Sequence, residues 1–139
     1  MELKIKRLTE EAVIPTRAHV GDAGLDLYSL EEYTLQPLER HLFKTGIAFG
    51  IPPGHYGQIS DRSGNAYKRG LTVLGGVIDE TFSGEISVIL YNTGDGVQIS
   101  KGEKLAQIII LPYVAPDMVE VEELVESSRG ARGFGSSGN

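Results

Sequence analysis

The sequence of 139 residues contains no cysteine and no tryptophan. Without cysteine the chain forms no disulfide, no cysteine-based zinc site and no thiol nucleophile, and this composition suits a reducing compartment. The longest apolar run, IIILPYVAP, is far too short to cross a bilayer, and the first residues, MELKIKRLTE, lack the apolar stretch of a secretory signal. These absences predict a soluble, cytoplasmic protein without a membrane partner.

Basic charge is also scarce. The chain carries 13 Lys and Arg against 19 Asp and Glu, for a formal net charge of −6, and acids are dense in EVEELVES at residues 120–127. A protein that binds nucleic-acid polymers needs a basic face, so this composition argues against such a partner. A small polyanionic ligand is still compatible with it, provided that a few local cations or a metal ion offset the ligand's charge.

Glycine and proline are plentiful, with 18 and 6 copies, and they divide the chain into short segments. Three of these segments alternate with period two, which places the following sets each on one face: Ile47, Phe49 and Ile51; Ile86, Val88 and Leu90; Leu105, Gln107, Ile109 and Leu111. Short alternating strands between turn residues predict an all-β sandwich or barrel, with one short helix or turn in RSGNAYKRG, residues 62–70. A chain of this length predicts one domain. A change to Ser, Gly and Arg near residue 126 predicts a β domain over residues 1–125 and a carboxyl-terminal arm over residues 126–139.

The segment DRSGNA, residues 61–66, contains groups that suit an anion. Arg62 offers a guanidinium fork to phosphate oxygens, Ser63 offers a hydroxyl and Gly64 an approachable backbone amide. When this segment is taken alone, an ordinary surface turn explains it better than an anion site does.

Two acids and one amide are further candidates. Asp79 follows the apolar pair Val77 and Ile78, which predicts a carboxylate at a strand end beside a desolvated pocket, where it could act as a general base; a turn aspartate in a hairpin is the alternative. Asp26 alternates with leucines, and a solvated outward acid is its simplest interpretation. Gln107 shares a face with apolar residues, and a buried amide needs a partner, which could be a ligand.

Taken in order, these segments resemble the five motifs of the homotrimeric dUTP diphosphatase family. They read AGLDLYS (residues 23–29), DRSGNA (61–66), GVIDETFSG (76–84), GEKLAQ (102–107) and RGARGFGSSG (129–138), and together they extend over essentially the whole chain. The resemblance implies a distorted jelly-roll or β-clip subunit, a homotrimer with shared active sites, and Mg²⁺-dependent hydrolysis of dUTP to dUMP and pyrophosphate. Such an enzyme keeps uracil out of DNA and supplies dUMP for thymidylate synthesis.

The resemblance also implies roles for residues at the phosphates. Asp79 matches the general base that activates the attacking water. Asp26 matches an acid that reaches Mg²⁺ through water, while the triphosphate itself holds the metal. The phosphate ligands would be Arg62, Ser63 and Gly64, assisted by Gln107.

Other roles implied by the resemblance concern the nucleoside and the arm. The backbone of a hairpin over residues 73–78, which includes Val73, Gly76, Val77 and Ile78, would read uracil, and Phe82 would pack on the deoxyribose. The arm would close over the bound nucleotide as a lid, with Phe134 stacked on uracil and with Arg129, Gly135 and Ser136 on the terminal phosphates.

Several positions depart from the family pattern, including Phe82, Asn65 and Asp61. Phe82 stands where tyrosine is usual, Asn65 replaces a leucine, and Asp61 replaces a proline, where it would loosen the loop or pair with Arg62. Two alternatives stay open: a dCTP deaminase or bifunctional deaminase-diphosphatase of the same fold, and a non-catalytic nucleotide-binding protein. No second acid stands where it could act on a cytosine ring.

Overall fold

Alternating apolar residues form short antiparallel strands at the positions where the sequence predicts them. The computed structural model describes residues 1–138, which contain ten strands and one helix. These elements are β1 (Lys4–Arg7), β2 (Leu25–Tyr28), β3 (Tyr33–Leu35), β4 (Arg40–Gly50), β5 (His55–Ser60), α1 (Ser63–Arg69), β6 (Leu71–Leu74), β7 (Val77–Ile78), β8 (Glu85–Asn92), β9 (Val97–Ile99) and β10 (Lys104–Pro112). The all-β prediction is confirmed, and α1 lies in the segment predicted for a short helix. The helix is not long enough to span a membrane.

The strands form two four-stranded sheets that share one core. The first sheet has the order β1-β4-β8-β6, the second has the order β2-β10-β5-β7, and β3 pairs with β9. Both sheets contribute fully buried side chains to the core, among them Phe43, Val88 and Leu90 from the first and Leu27 and Ile108 from the second. Non-consecutive neighbours in both sheets bring residues that are distant in sequence to adjacent strand ends.

The predicted common face of Leu105 and Gln107 is wrong, because β10 contains an irregularity. Its register against β2 shifts between Lys104 and Ala106. Beyond this bulge, Ala106 and Ile108 are buried in the core, so Gln107 lies on the opposite face. The side-chain amide of Asn65, which is itself buried, donates to the carbonyl oxygens of Lys104 and Leu105 at 3.2 and 3.3 Å.

The last strand ends at Pro112, and the chain beyond it is exposed. Residues 114–138 contain no strand or helix, and Val114, Met118, Leu124 and Val125 expose apolar side chains almost completely. Within the described part of the arm, the hydrogen bonds are local and join residues 127–138 to one another. The domain boundary at residue 125 stays a prediction.

Candidate active site

The predicted phosphate ligands meet on the second sheet, around Gln107 of its inner strand β10. Strand pairing places Gln107 opposite Asp26 on one side and opposite Ser60 on the other. The chain continues from Ser60 through Asp61 into residues 62–64, the predicted phosphate-binding loop, whose last two residues begin α1. A cavity of about 360 Å³, here called the loop cavity, has these lining residues: Ala18, His19, Asp22, Ala23, Gly24, Asp26, Arg62, Ser63, Gly64 and Gln107.

Asp26 is a buried acid that contacts two cations, and its interpretation as a solvated acid is wrong. Its side chain is only 10% exposed. Nε of Arg62 donates to Oδ1 at 3.1 Å, and Nζ of Lys104 lies 3.1 Å from Oδ2. The three groups together carry one net positive charge. Within residues 1–138 the terminal amino groups of Arg62 make no hydrogen bond, so they are available to an anion.

Gln107 is held from two sides. Its Nε2 donates to the carbonyl oxygen of Asp61 at 2.9 Å. A Cβ atom at Gly24 would lie 2.1 Å from Oε1 and 2.9 Å from Cδ of Gln107, so a larger residue at position 24 would force the Gln107 side chain to move. Sequence reasoning missed both Gly24 and Lys104 as members of the site, although both lie inside the quoted motifs AGLDLYS and GEKLAQ.

Gly76, directly in front of β7, and Gly64, in the first turn of α1, differ in what an added side chain would contact. Gly76 has φ of +113°, and a Cβ there would lie 2.7 Å from the carbonyl oxygen of Ile59, so close packing on β5 requires it. A Cβ at Gly64 in the loop would meet no atom within 4 Å, so packing in this chain does not require that glycine. The open side of Gly64 faces space that a ligand could fill.

Asp79 follows β7 immediately, as predicted for a carboxylate at a strand end. It is exposed on this chain and lines a second cavity of about 460 Å³, here called the hairpin cavity, together with Tyr56, Gln58, Val77, Glu80, Thr81 and Tyr113. Burial, followed by the charge and hydrogen bond of Glu80 and the charge of Asp79, raises the pKa of Tyr113. The desolvation expected around Asp79 is not provided by this chain alone.

The nucleoside side of the predicted site is also exposed. Val77 is 63% exposed and Phe82 is 43% exposed, so neither is a core residue. The backbone N–H of Phe82 donates to the carbonyl oxygen of Asp79 at 3.0 Å, which closes the turn after β7. Val73 in β6 and Ile78 at the end of β7 are half-buried.

The arm is separate from both cavities. Phe134 is fully exposed, and its φ of +48° lies in the left-handed region that side chains rarely adopt. Nε of Arg129 donates to the carbonyl oxygen of Arg132 at 2.7 Å, and Nε of Arg132 donates back to the carbonyl oxygen of Arg129 at 2.9 Å. Gly135 and Ser136 are exposed as well. The loop cavity and the hairpin cavity share no lining residue, so one chain presents its site residues as three separate groups.

Asp61 behaves differently from the prediction. It does not pair with Arg62, whose Nε bonds Asp26 instead. Its carboxylate accepts hydrogen bonds from the backbone N–H of Val73 at 2.6 Å and from Oγ1 of Thr72 at 2.9 Å. These bonds fasten the loop to β6 rather than loosening it.

Comparisons with known proteins identify the family of this chain. The family model described as dUTPase matches residues 10–138. The chain belongs to the dUTPase family. A deoxyuridine 5'-triphosphate nucleotidohydrolase of Clostridium kluyveri is 48% identical over 141 residues, which cover 99% of each chain. The human mitochondrial relative of the same name is 42% identical over 99% of this chain and 55% of its own length.

Solved dUTPase structures share the whole architecture. A mutant dUTPase of Staphylococcus bacteriophage 80alpha with dUpNHpp superimposes with a TM-score of 0.94 at 32% identity, over 99% of each chain. A mutant dUTPase of phage phi11 of S. aureus, described with a structural Mg(II) ion, has a TM-score of 0.84 at 31% identity and covers 88% of this chain and 98% of its own. The predicted dUTPase-type subunit fold is therefore confirmed, and the dCTP deaminase alternative finds no support in these comparisons.

Proposed function

We propose that this chain hydrolyses dUTP to dUMP and pyrophosphate at active sites that three copies of it build together. The separation of the loop cavity from the hairpin cavity carries this proposal. A general base must come within about 3 Å of the water that it activates, next to the groups that hold the phosphates. Since one chain presents Asp79 and Arg62 in cavities without a common residue, a neighbouring chain has to bring the second group to the first.

Exposed apolar side chains support the assembly. Val114, Met118, Leu124 and Val125 follow the last strand and contribute almost nothing to the core of their own chain. Apolar surface that is exposed to this extent is typical of an interface between proteins. A homotrimer would cover this segment and would supply the arm of one chain to a site formed by its neighbours.

The residues of the two cavities divide the chemistry between them. Asp79 accepts a proton from a water molecule, whose oxygen attacks the α-phosphorus as the bond to the bridging oxygen of pyrophosphate breaks. The terminal amino groups of Arg62, the hydroxyl of Ser63 and the backbone amide of Gly64 stabilise the negative charge that develops on the phosphate oxygens. Gln107, which lines the same cavity, assists them.

Asp26 fits an indirect contact with magnesium. Each of its carboxylate oxygens contacts one cation and keeps a lone pair for a water molecule. Among residues 1–138, no group of three or more His, Asp or Glu side chains could hold a metal ion alone. Bound Mg²⁺ would be held mainly by the triphosphate, and Asp26 would reach it through water. The ion would supply positive charge that offsets phosphate charge beyond what the cations of the loop cavity offset.

The hairpin and the arm provide selectivity and closure. The backbone of residues 73–78 reads uracil, and the exposed ring of Phe82 packs on deoxyribose. The arm closes over the nucleotide, with Phe134 on uracil and with Arg129, Gly135 and Ser136 on the phosphates. Its exposure and its purely local hydrogen bonds support such a movement, because closing breaks no contact with the core. A cytoplasmic location is also proposed, on the composition alone.

Pyrophosphate release from dUTP, dTTP, dCTP and UTP, with Mg²⁺ and with EDTA, tests the activity. We expect release from dUTP with Mg²⁺ and little from the other three nucleotides. Ammonia release from dCTP would favour a deaminase, and absence of pyrophosphate from dUTP would favour a non-catalytic binding protein.

Mixed assemblies test the shared site. Asp79→Asn subunits and subunits truncated before residue 129 should each be nearly inactive, and a reassociated mixture should regain activity. Native mass spectrometry confirms that mixed trimers have formed. Confirmed mixed trimers without any regained activity would mean that each site is built from one chain.

A further inference from the structure

Asp61 joins the phosphate-binding loop to a strand of the other sheet. Its two carboxylate oxygens accept hydrogen bonds from the backbone N–H of Val73 and from the hydroxyl of Thr72, at 2.6 and 2.9 Å. We infer that Asp61 is a positioning residue, which sets the places of Arg62 and Gln107 for the triphosphate by clamping the loop to β6. The inference rests on the proposed role of these two residues as phosphate ligands.

The clamp uses a free strand edge. β6 stands last in the order β1-β4-β8-β6, so β8 pairs with only one of its edges. A backbone N–H at the other edge needs an acceptor, and the carboxylate of Asp61 takes the place that a carbonyl of a further strand would have. A charged acceptor makes a hydrogen bond about twice as strong as a neutral one. The loop is therefore held against a rigid element of the first sheet.

The main chain of Asp61 connects this fixed position to both proposed phosphate ligands, Gln107 and Arg62. Its carbonyl oxygen accepts the hydrogen bond from Nε2 of Gln107 at 2.9 Å. Arg62 is the next residue along the chain, and its Nε is directed at Asp26 at 3.1 Å. A shift of the backbone at Asp61 would thus move the acceptor of Gln107 and the origin of the Arg62 side chain together. Asp61 does not line the loop cavity, so it acts through these neighbours.

Two substitutions separate position from charge. Asp61→Ala removes both acceptors and releases the loop from β6. Asp61→Asn is the matched control, because its Oδ1 still accepts from Val73 while its amide donates to the hydroxyl of Thr72. If the charge of Asp61 mattered rather than its bonds, the two variants would behave alike.

Binding of dUpNHpp and of dUMP, measured by calorimetry with Mg²⁺, tests the inference. We expect Asp61→Ala to bind dUpNHpp about tenfold more weakly, because the released loop no longer holds Arg62 and Gln107 in place, while dUMP affinity stays within about twofold. Asp61→Asn should stay within about threefold of the wild type for both ligands. The value of kcat/KM for dUTP should follow the dUpNHpp affinity.

Three results would overturn the inference: unchanged dUpNHpp affinity in Asp61→Ala, equal losses for dUpNHpp and dUMP, or equal losses in the Ala and Asn variants. Should Asp61→Ala not fold, Thr72→Val decides, because it removes one of the two bonds. Weaker dUpNHpp binding with unchanged dUMP binding then supports the clamp, and unchanged binding of both overturns it. Arg62→Ala tests the proposed function independently, since unchanged dUpNHpp affinity in that variant would mean that the loop does not hold phosphates.

Discussion

The guanidinium Nε of Arg62 lies 3.1 Å from Oδ1 of Asp26, so the acid implied for magnesium also orients the arginine implied for phosphate. The second oxygen of the same carboxylate faces Lys104. A buried charge with two partners is costly to remove from one side only, because the partners keep their own charges in a partly desolvated place. Asp26 therefore links the stability of the loop cavity to its chemistry.

Asp26→Asn should change both the stability of the protein and the Mg²⁺ dependence of its activity. We expect the free energy of unfolding, measured in urea, to fall by about 1–3 kcal/mol, since Arg62 and Lys104 are each about a third exposed and solvent reduces the cost. The Mg²⁺ concentration that gives half-maximal activity should rise. Asp22→Asn is the control: this acid lines the same cavity but contacts His19, and its variant should stay within about 0.5 kcal/mol of the wild type. An unchanged Mg²⁺ dependence in Asp26→Asn would exclude the metal role.

Asp79→Asn should abolish most of the turnover while nucleotide still binds. The amide keeps the shape of the side chain but accepts no proton, so kcat should fall by roughly 10²- to 10⁴-fold. Glu80→Gln is the matched control, because Glu80 lines the same cavity and its carboxylate accepts from the backbone N–H of Gly54. A variant at Asp79 that keeps more than half of the wild-type turnover would refute the assigned mechanism.

Phe82→Ala should weaken the distinction between dUTP and UTP. The ring proposed to lie on deoxyribose would be lost, which leaves space for a 2′-hydroxyl, and the ratio of kcat/KM values should shrink mainly through loss of dUTP turnover. Because the ring is 43% exposed, the melting temperature should change little. Phe82→Tyr keeps the ring and should keep the ratio. Equal ratios in the wild type and Phe82→Ala would leave Phe82 without a role in sugar selection.

Phe134→Trp should report closure of the arm. The chain has no tryptophan, so this residue would be the single indole, in water when the arm is open and against uracil when it is closed. We expect a saturable change of fluorescence with Mg²⁺ and dUpNHpp, and a much smaller change with the dTTP counterpart. Deletion of residues 129–139 should remove most of the activity and leave thermal unfolding nearly unchanged. Closure of the arm is refuted if the tryptophan fluorescence does not change when nucleotide is added, or if the truncated protein keeps nearly full activity.

Asn65→Ala should destabilise the bulge that turns Gln107 away from the core. The variant would lack the amide that donates hydrogen bonds to the carbonyl oxygens of Lys104 and Leu105. The free energy of unfolding should therefore fall by about 1–3 kcal/mol. Tyr67→Ala on the same helix is the control, because Tyr67 is 91% exposed and its loss should cost within about 0.5 kcal/mol. Urea unfolding of the two variants gives the comparison, and equal stabilities would mean that Asn65 does not support the bulge.

Local patterns determined the class of fold and the chemistry of the motifs. The alternation in EISVILYN predicts buried Ile86, Val88 and Leu90 correctly, because a strand turns successive side chains to opposite faces whatever its partner is. The order of the five motifs indicates the family, and Asp79 does follow a strand. The residue types that suit a phosphate or a proton transfer are likewise readable without coordinates.

Only the tertiary structure decided which residues meet. The bulge between Lys104 and Ala106 reverses the face of Gln107. A strand with one extra residue cannot be told from a regular strand by the alternation of its sequence alone. Lys104 meets Asp26, and Asp61 meets Val73, because β2, β5 and β10 are neighbours in one sheet while β6 ends the other. The separation of Asp79 from Arg62 follows from the antiparallel pairing of β7 with β5, because Ile78 lies opposite Gly57 whereas Arg62 follows the far end of β5. Sequence patterns report what each residue does within its own strand, whereas contacts between strands depend on how the sheets are assembled.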